Sequence, residues 1–159
     1  MNKKSLSKTQ TFFKKKSLRF PLPKFPPDAL PNAINMLIYG STVSKYSKTG
    51  NFRHSCVFYI LEDDSDYLQW LSSKKEYIKT RINLKNIKNI YQDPSSDSKI
   101  LKIFKHMYKN VLFVNYEDEN SEKDETIVLK FLNEEAKLLW WHGVAYFIKK
   151  ALEADILIA

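Results

Sequence analysis

Between residues 36 and 132 the apolar positions fall into short runs, most of them broken by polar or charged turns. Residues 36–46 (MLIYGSTVSKY) predict a first strand, with Gly40 marking a bend. SKTGN then turns the chain at residues 47–51. Residues 53–61 predict a second strand, apolar on both faces from Val57 to Leu61. An acidic turn at 62–66 leads to a third strand at 67–72, and a turn at 73–76 leads to a fourth at 78–84. The fourth, IKTRINL, alternates with period two, as a half-buried strand does. Further strands are predicted at 87–92, 111–116 and 126–132, the last two separated by an acidic loop at 117–125. β-branched and aromatic residues dominate these runs.

Two segments change period. In residues 133–154 (NEEAKLLWWHGVAYFIKKALEA), Ala136, Trp140, Val144, Phe147 and Ala151 recur at spacings of three and four. That is one helical stripe. Asn133 is suited to cap it, and Glu134 and Glu135 suit the positive end of its dipole. Trp140 lies on the stripe, while Trp141 is rotated off it by about 100°. The expected helix closes whatever the strands build, with Trp140 buried and Trp141 off the buried stripe. Residues 98–110 (SKILKIFKHMYKN) predict a shorter inserted helix before the sixth strand. Ile100, Ile103, Phe104 and Met107 give it an apolar face, suited to covering a barrel edge. Its lysines also suit it to a membrane surface.

Residues 1–33 read differently. Lys3, Lys4, Lys8, Lys14, Lys15, Lys16 and Arg19 are interleaved with Phe12, Phe13 and Phe20. Such a mixture stays in water or rests on an anionic bilayer. Residues 21–31 hold five of the six prolines and predict an extended linker, with Asp28 capping a short helical turn. The expected organisation is a flexible basic leader over 1–33 and one folded domain over 34–155.

Of the 159 residues, 43% are apolar and 14% aromatic, enough for one cored domain. No apolar run approaches the ~20 residues of a membrane span, and the polar, basic start does not resemble a signal peptide. Cys56 is the sole cysteine, so no internal disulfide forms; a reducing compartment and a buried thiol are expected. Charge is polarised. Residues 1–50 carry ten Lys/Arg and one acid, whereas residues 111–159 carry five Lys/Arg and ten acids. An anionic surface would orient such a molecule.

Three features together resemble the pleckstrin homology family. Leu37-Ile38-Tyr39-Gly40 is similar to its opening L-x-x-G strand. Arg53-His54 leading into Val57–Leu61 is similar to its second strand, and Trp140-Trp141-His142-Gly143-Val144 to the W-x-x-G of its closing helix. The resemblance covers about residues 34–154. It implies a mainly β fold: a bent, seven-stranded antiparallel sandwich or barrel capped by the C-terminal helix. Phospholipase C-type domains look nearest. The Lys/Asn/Ile-rich composition also resembles apicomplexan proteins, whose acylated member of this family binds phosphatidic acid. The start Met1-Asn2-Lys3 differs from that member's, which carries an N-terminal glycine and nearby cysteines.

The resemblance also implies a headgroup site. Phosphoinositide-binding members carry K-xn-[K/R]-x-R across their first two strands, because several donors must converge on the ring phosphates. Here Lys45, Lys48 and Arg53 occupy the first positions, and the place of the final Arg is held by Ser55 in one register or Cys56 in another, neither of which supplies a cation. His54, Lys74 and Lys75, with Lys79, can supplement the cup. Tyr46 and Phe52 flank the same loop and, with Lys14, Lys15 and Lys16, are the candidate membrane-interface residues. An incomplete inositol-phosphate motif favours a smaller phosphomonoester such as phosphatidic acid. The alternatives are a phosphoinositide reader, solvated loop lysines, or a protein-binding module that uses an exposed Trp141. The sequence holds none of G-x-S-x-G, a P-loop, H-E-x-x-H or C-x-x-C. His54, His106 and His142 lie in different predicted elements, so no metal site, cofactor or catalysis is expected. No nucleic-acid recognition pattern appears. The expectation is a peripheral module on the cytosolic face of a membrane, with anionic phospholipids as partners.

Overall fold

The indole of Trp140 is fully buried, with the rings of Phe58 and Phe131 against it. The computed structural model describes residues 18–47, 53–71, 80–93 and 110–158, with side chains as far as Ala154. Among them are helix α1 (Leu30–Tyr39), strands β1 (Ser41–Tyr46), β2 (Arg53–Leu61), β3 (Asp64–Trp70), β4 (Arg81–Asn83), β5 (Ile87–Tyr91), β6 (Val111–Glu117) and β7 (Asp124–Lys130), and helix α2 (Glu134–Ile158). The seven strands form one antiparallel sheet in the order β4-β3-β2-β1-β7-β6-β5. β1 pairs with β2 along its whole length, from Ser41↔Phe58 to Tyr46↔Arg53. It meets β7 only at Ser44↔Lys130 and Lys45↔Leu129. Register shifts interrupt β2–β3 and β5–β6; such bulges bend strands and raise twist.

One core takes Val43, Phe58, Leu68, Ile82, Ile90, Leu112 and Leu129 from the seven strands, together with Trp140, Val144 and Phe147 of α2. A single cluster fed by every strand requires a sheet curled around it. Phe58 meets Trp140 edge-on at 5.9 Å, and Phe131 lies 5.5 Å from the same ring. β6 is buried on both faces: Leu112 and Val114 face this core, and Val111 and Phe113 join Tyr46 and Val128 in a second cluster on the outer face. The expected mainly β fold with a C-terminal closing helix is what forms. The helix expected at 98–110 falls outside the described residues.

The start of the domain differs from expectation. Residues 30–39 are helical, and the strand begins only at Ser41. Pro31 suits the first turn of a helix, and Ala33 and Leu37, four apart, are both buried. Gly40, with φ at +95°, releases the chain into β1. The L-x-x-G of Leu37–Gly40 therefore ends a helix and does not open a strand. What holds α1 is Gly143 of α2. A Cβ there would lie 2.6 Å from the Ala33 carbonyl oxygen and 2.9 Å from Leu37 Cδ1, so only glycine lets the helices approach this closely.

Trp141 is also corrected: at 4% exposed it joins Trp140, at 0%, in the core. α2 has two neighbours, the sheet and α1, so its buried arc is wider than one stripe. The leader is corrected at its end. Phe20 is buried, and Leu18 and Leu22 pack on the core. His142 Nε2 donates to the Pro23 carbonyl at 2.9 Å, and Phe25 stacks on the imidazole at 4.1 Å. Packed structure thus starts near residue 18, ahead of the expected Ile34, because apolar residues of the leader find the flank of α2. Asp28 sits within the 3-10 turn Pro27–Ala29, which shows no side-chain cap.

Candidate functional site

The β1–β2 hairpin carries the candidate headgroup residues, and its register sorts them by face. Side chains alternate along a strand, and directly opposed residues share a face. Val43↔Cys56 faces the core, so Lys45↔His54, two residues along, lies on that same face at the turn end of the hairpin. Thr42↔Val57, Ser44↔Ser55 and Tyr46↔Arg53 lie on the other. Lys45 and His54 are therefore brought together, and Arg53 is separated from them. Lys45 Nζ stands 5.8 Å from the centroid of the Trp70 ring, within cation–π range. On the core face the position after His54 is Cys56, which is 7% exposed and supplies no cation there.

Tyr46 is corrected. It is buried in the outer cluster with Val111, Phe113 and Val128, so its ring is not a wedge for a membrane. Alternation places it opposite Val43, and that face is covered there. Lys48, Phe52, Lys74, Lys75, Lys14, Lys15 and Lys16 lie outside the described residues.

The acidic loop after β6 has a structural role that its composition concealed. Tyr67 Oη donates to both carboxylate oxygens of Glu119, at 3.0 and 3.2 Å, and Asn83 Nδ2 donates to Glu119 at 3.1 Å. The Arg81 guanidinium lies 4.1 Å over the Tyr67 ring. Asp118 accepts from the backbone N–H and hydroxyl of Ser121, shaping the turn. Lys88 and Asp124 pair at 2.7 Å. Glu119 thereby braces the β6–β7 loop against β3 and β4, across a shallow cleft also lined by Tyr116 and Asp118. Burial, then the hydrogen bond to Glu119, raises the Tyr67 phenol above its usual range. Burial foremost, with Glu125 and Asp118 adding, pushes Tyr116 up to about 12. Both phenols stay protonated at neutral pH, so neither of them serves as a base there.

At the foot of α2, Lys137 is buried. Its Nζ donates to Gln92 Oε1 and pairs with Glu134 Oε2, each at 2.8 Å. Asn133 caps the helix through the Ala136 N–H at 2.8 Å, as its sequence position implies. No helix among the described residues is long and apolar enough to cross a membrane.

Comparison with known proteins agrees with this architecture. No protein-family model and no curated protein matches the sequence. Among solved structures, inner membrane complex sub-compartment protein 1 from Toxoplasma gondii superposes with a TM-score of 0.55 at 16% identity, over 82% of this chain and 98% of that one. Sub-compartment protein 3 from the same organism gives 0.51 at 16% identity, over 86% and 93%. The S. officinalis protein PLC21 gives 0.53 at 17% identity, over 81% of this chain but only 16% of that one. The PH domain from TgAPH gives 0.50 at 13% identity, over 78% and 93%. At these identities the likeness concerns the fold. This chain folds as a pleckstrin homology-like domain.

Proposed function

We propose that this pleckstrin homology-like domain is a non-catalytic membrane-targeting module that binds an anionic phospholipid headgroup, with phosphatidic acid favoured. The observation that carries the proposal is the opposed pair Lys45↔His54 at the turn end of the β1–β2 hairpin. Two adjacent donors suit a phosphomonoester. An inositol polyphosphate needs a further cation on the same face, and that position is the buried Cys56. Lys48, Lys74 and Lys75 of the flanking loops are the proposed additional donors, and Lys14, Lys15 and Lys16 of the tail add a nonspecific attraction. A basic N-terminal third and an acidic C-terminal third would orient the molecule on the cytosolic face of a membrane. Similarity to two inner membrane complex proteins is compatible with peripheral association.

Sedimentation of the full chain with phosphatidylcholine vesicles tests this, comparing phosphatidic acid, a phosphoinositide and no anionic lipid at two salt concentrations. Preference for phosphatidic acid, weakened roughly tenfold by Lys45→Gln with His54→Gln, is the expected result. Equal binding to vesicles and RNA, with one salt slope, would reduce the activity to polyanion attraction. Absence of vesicle binding at low salt would leave the fold as a protein-interaction module.

A further inference from the structure

Ahead of α1 the chain runs as a strap, residues 18–25 (LRFPLPKF), without helix or strand. Leu18, Phe20 and Leu22 pack on the core, while Arg19, Pro21 and Lys24 are exposed. Phe20, Leu22 and Phe25 each precede a proline, which disfavours the helical region and keeps them extended. Pro21 and Pro23 have no N–H to donate. Among the described residues the strap forms no backbone–backbone hydrogen bond. Its polar tie is the donation from His142 Nε2 to the Pro23 carbonyl, at 2.9 Å, with Phe25 stacked on the same imidazole at 4.1 Å. Aromatic surfaces recognise stiff, proline-rich peptides in this way, because the ligand is extended before it binds. The strap is thus a preorganised ligand seated on α2.

Its connection to the domain is short. Phe25 lies on His142 and Ala33 on Gly143, so the chain between them doubles back through the 3-10 turn Pro27–Ala29. The Ala29 N–H donates to the Pro26 carbonyl at 3.0 Å, and no side chain caps the turn. Pro26, at φ −61° and ψ 126°, is already extended. Once the turn opens, Phe25-Pro26-Pro27 continues the strap as one stiff arm. α1 does not follow, because its close packing on Gly143 holds it to its own α2. A small element on a short hinge is what copies of one chain exchange at low cost. On a second copy the arm meets the same imidazole and the same apolar flank, so exchange keeps every contact of the strap.

We infer that the His142 flank of α2 is a docking groove for an extended, proline-rich segment, and that two copies of this protein pair by each seating its strap in the other's groove. The exchange is reciprocal and closes a two-fold dimer. It goes beyond the lipid-binding reading and does not rest on it. Strap contacts are the same in the closed chain and in the pair, so concentration decides which form dominates.

The test places photoreactive benzoylphenylalanine at position 25 of the full chain and mixes light and heavy-isotope copies over a range of concentrations. This keeps an aromatic ring at a half-buried position; a second probe at the exposed Lys24 repeats the reading without touching the stacked ring. Cross-links from a light strap to a heavy His142 segment are expected to rise with concentration, together with a dimer in light scattering. A flexible Gly/Ser insertion between Pro27 and Asp28 gives the strap slack to close on its own α2, and at matched concentration should shift the dimer to monomer. If both probes link only within one chain at every concentration, the strap is a permanent part of its own domain and the inference is overturned. A dimer that the insertion leaves unmoved forms through another face, which overturns it equally. If light–heavy links are absent but free LRFPLPKF peptide displaces the same-chain links, the groove accepts a ligand other than a second copy, and the assignment again falls.

Discussion

Trp140 and Trp141 show how much one position depends on its neighbours. Trp140 is enclosed by Phe58 and Phe131, and Trp140→Ala should cost about 3–5 kcal/mol in denaturant unfolding. Trp141 is also buried, so Trp141→Ala should cost a similar amount, and a loss below about 1 kcal/mol would show that its site collapses or is wet. Gln69 offers the opposite sign. It is buried, and among the described residues neither its amide oxygen nor its nitrogen has a hydrogen-bond partner. Gln69→Met keeps the volume and removes that desolvation penalty, so unfolding should show a gain of about 1 kcal/mol. His142 gives a pH signature. Burial foremost, aided by Lys149, lowers its pKa, and the bond to Pro23 opposes them. With the folded-state pKa below that of the unfolded chain, acid protonates the unfolded state first. Stability should therefore fall as pH drops from about 6.5 towards the lowered value. In His142→Gln that slope should be reduced when unfolding is followed across pH 7 to 5.

At the scale of elements, the contact between α1 and α2 decides the N-terminal architecture. Gly143→Ala would press a methyl against the Ala33 carbonyl and Leu37, and backbone cannot yield as a side-chain tip can. A loss of about 1–3 kcal/mol is expected, with amide exchange rising first in residues 30–39. If exchange rises uniformly, α1 is not the yielding element. The sequence alone reads MLIYG as strand because a short apolar run has no period of its own. The helix is selected by burying Ala33 and Leu37 on a helix more than a hundred residues later.

For the whole molecule, charge and topology make separable contributions. Under the proposed function the tail lysines act through a screened field, so Lys14→Glu with Lys15→Glu should weaken vesicle binding at low salt and matter little at high salt. Loss of a direct contact at the hairpin should persist. Vesicle sedimentation of both pairs across salt separates them; if the tail pair abolishes binding at every salt, the domain has no headgroup site.

Periodicity and composition by themselves determined the strand-rich middle, the closing helix with its Asn133 cap, the burial of Cys56 and the core place of Trp140. Each follows from a few neighbouring residues. Tertiary structure decided the rest. The faces of Lys45, His54 and Arg53 depend on register, and a slip of one residue exchanges the two faces. Trp141 and Phe20 are buried because α2 meets a second layer that no local pattern announces. Glu119, in a run of acids that reads as solvated, braces the sheet because Tyr67 and Asn83, far off in sequence, come within hydrogen-bond reach. Local sequence carries the period of an element, while the partner across the chain is chosen only when the sheet closes.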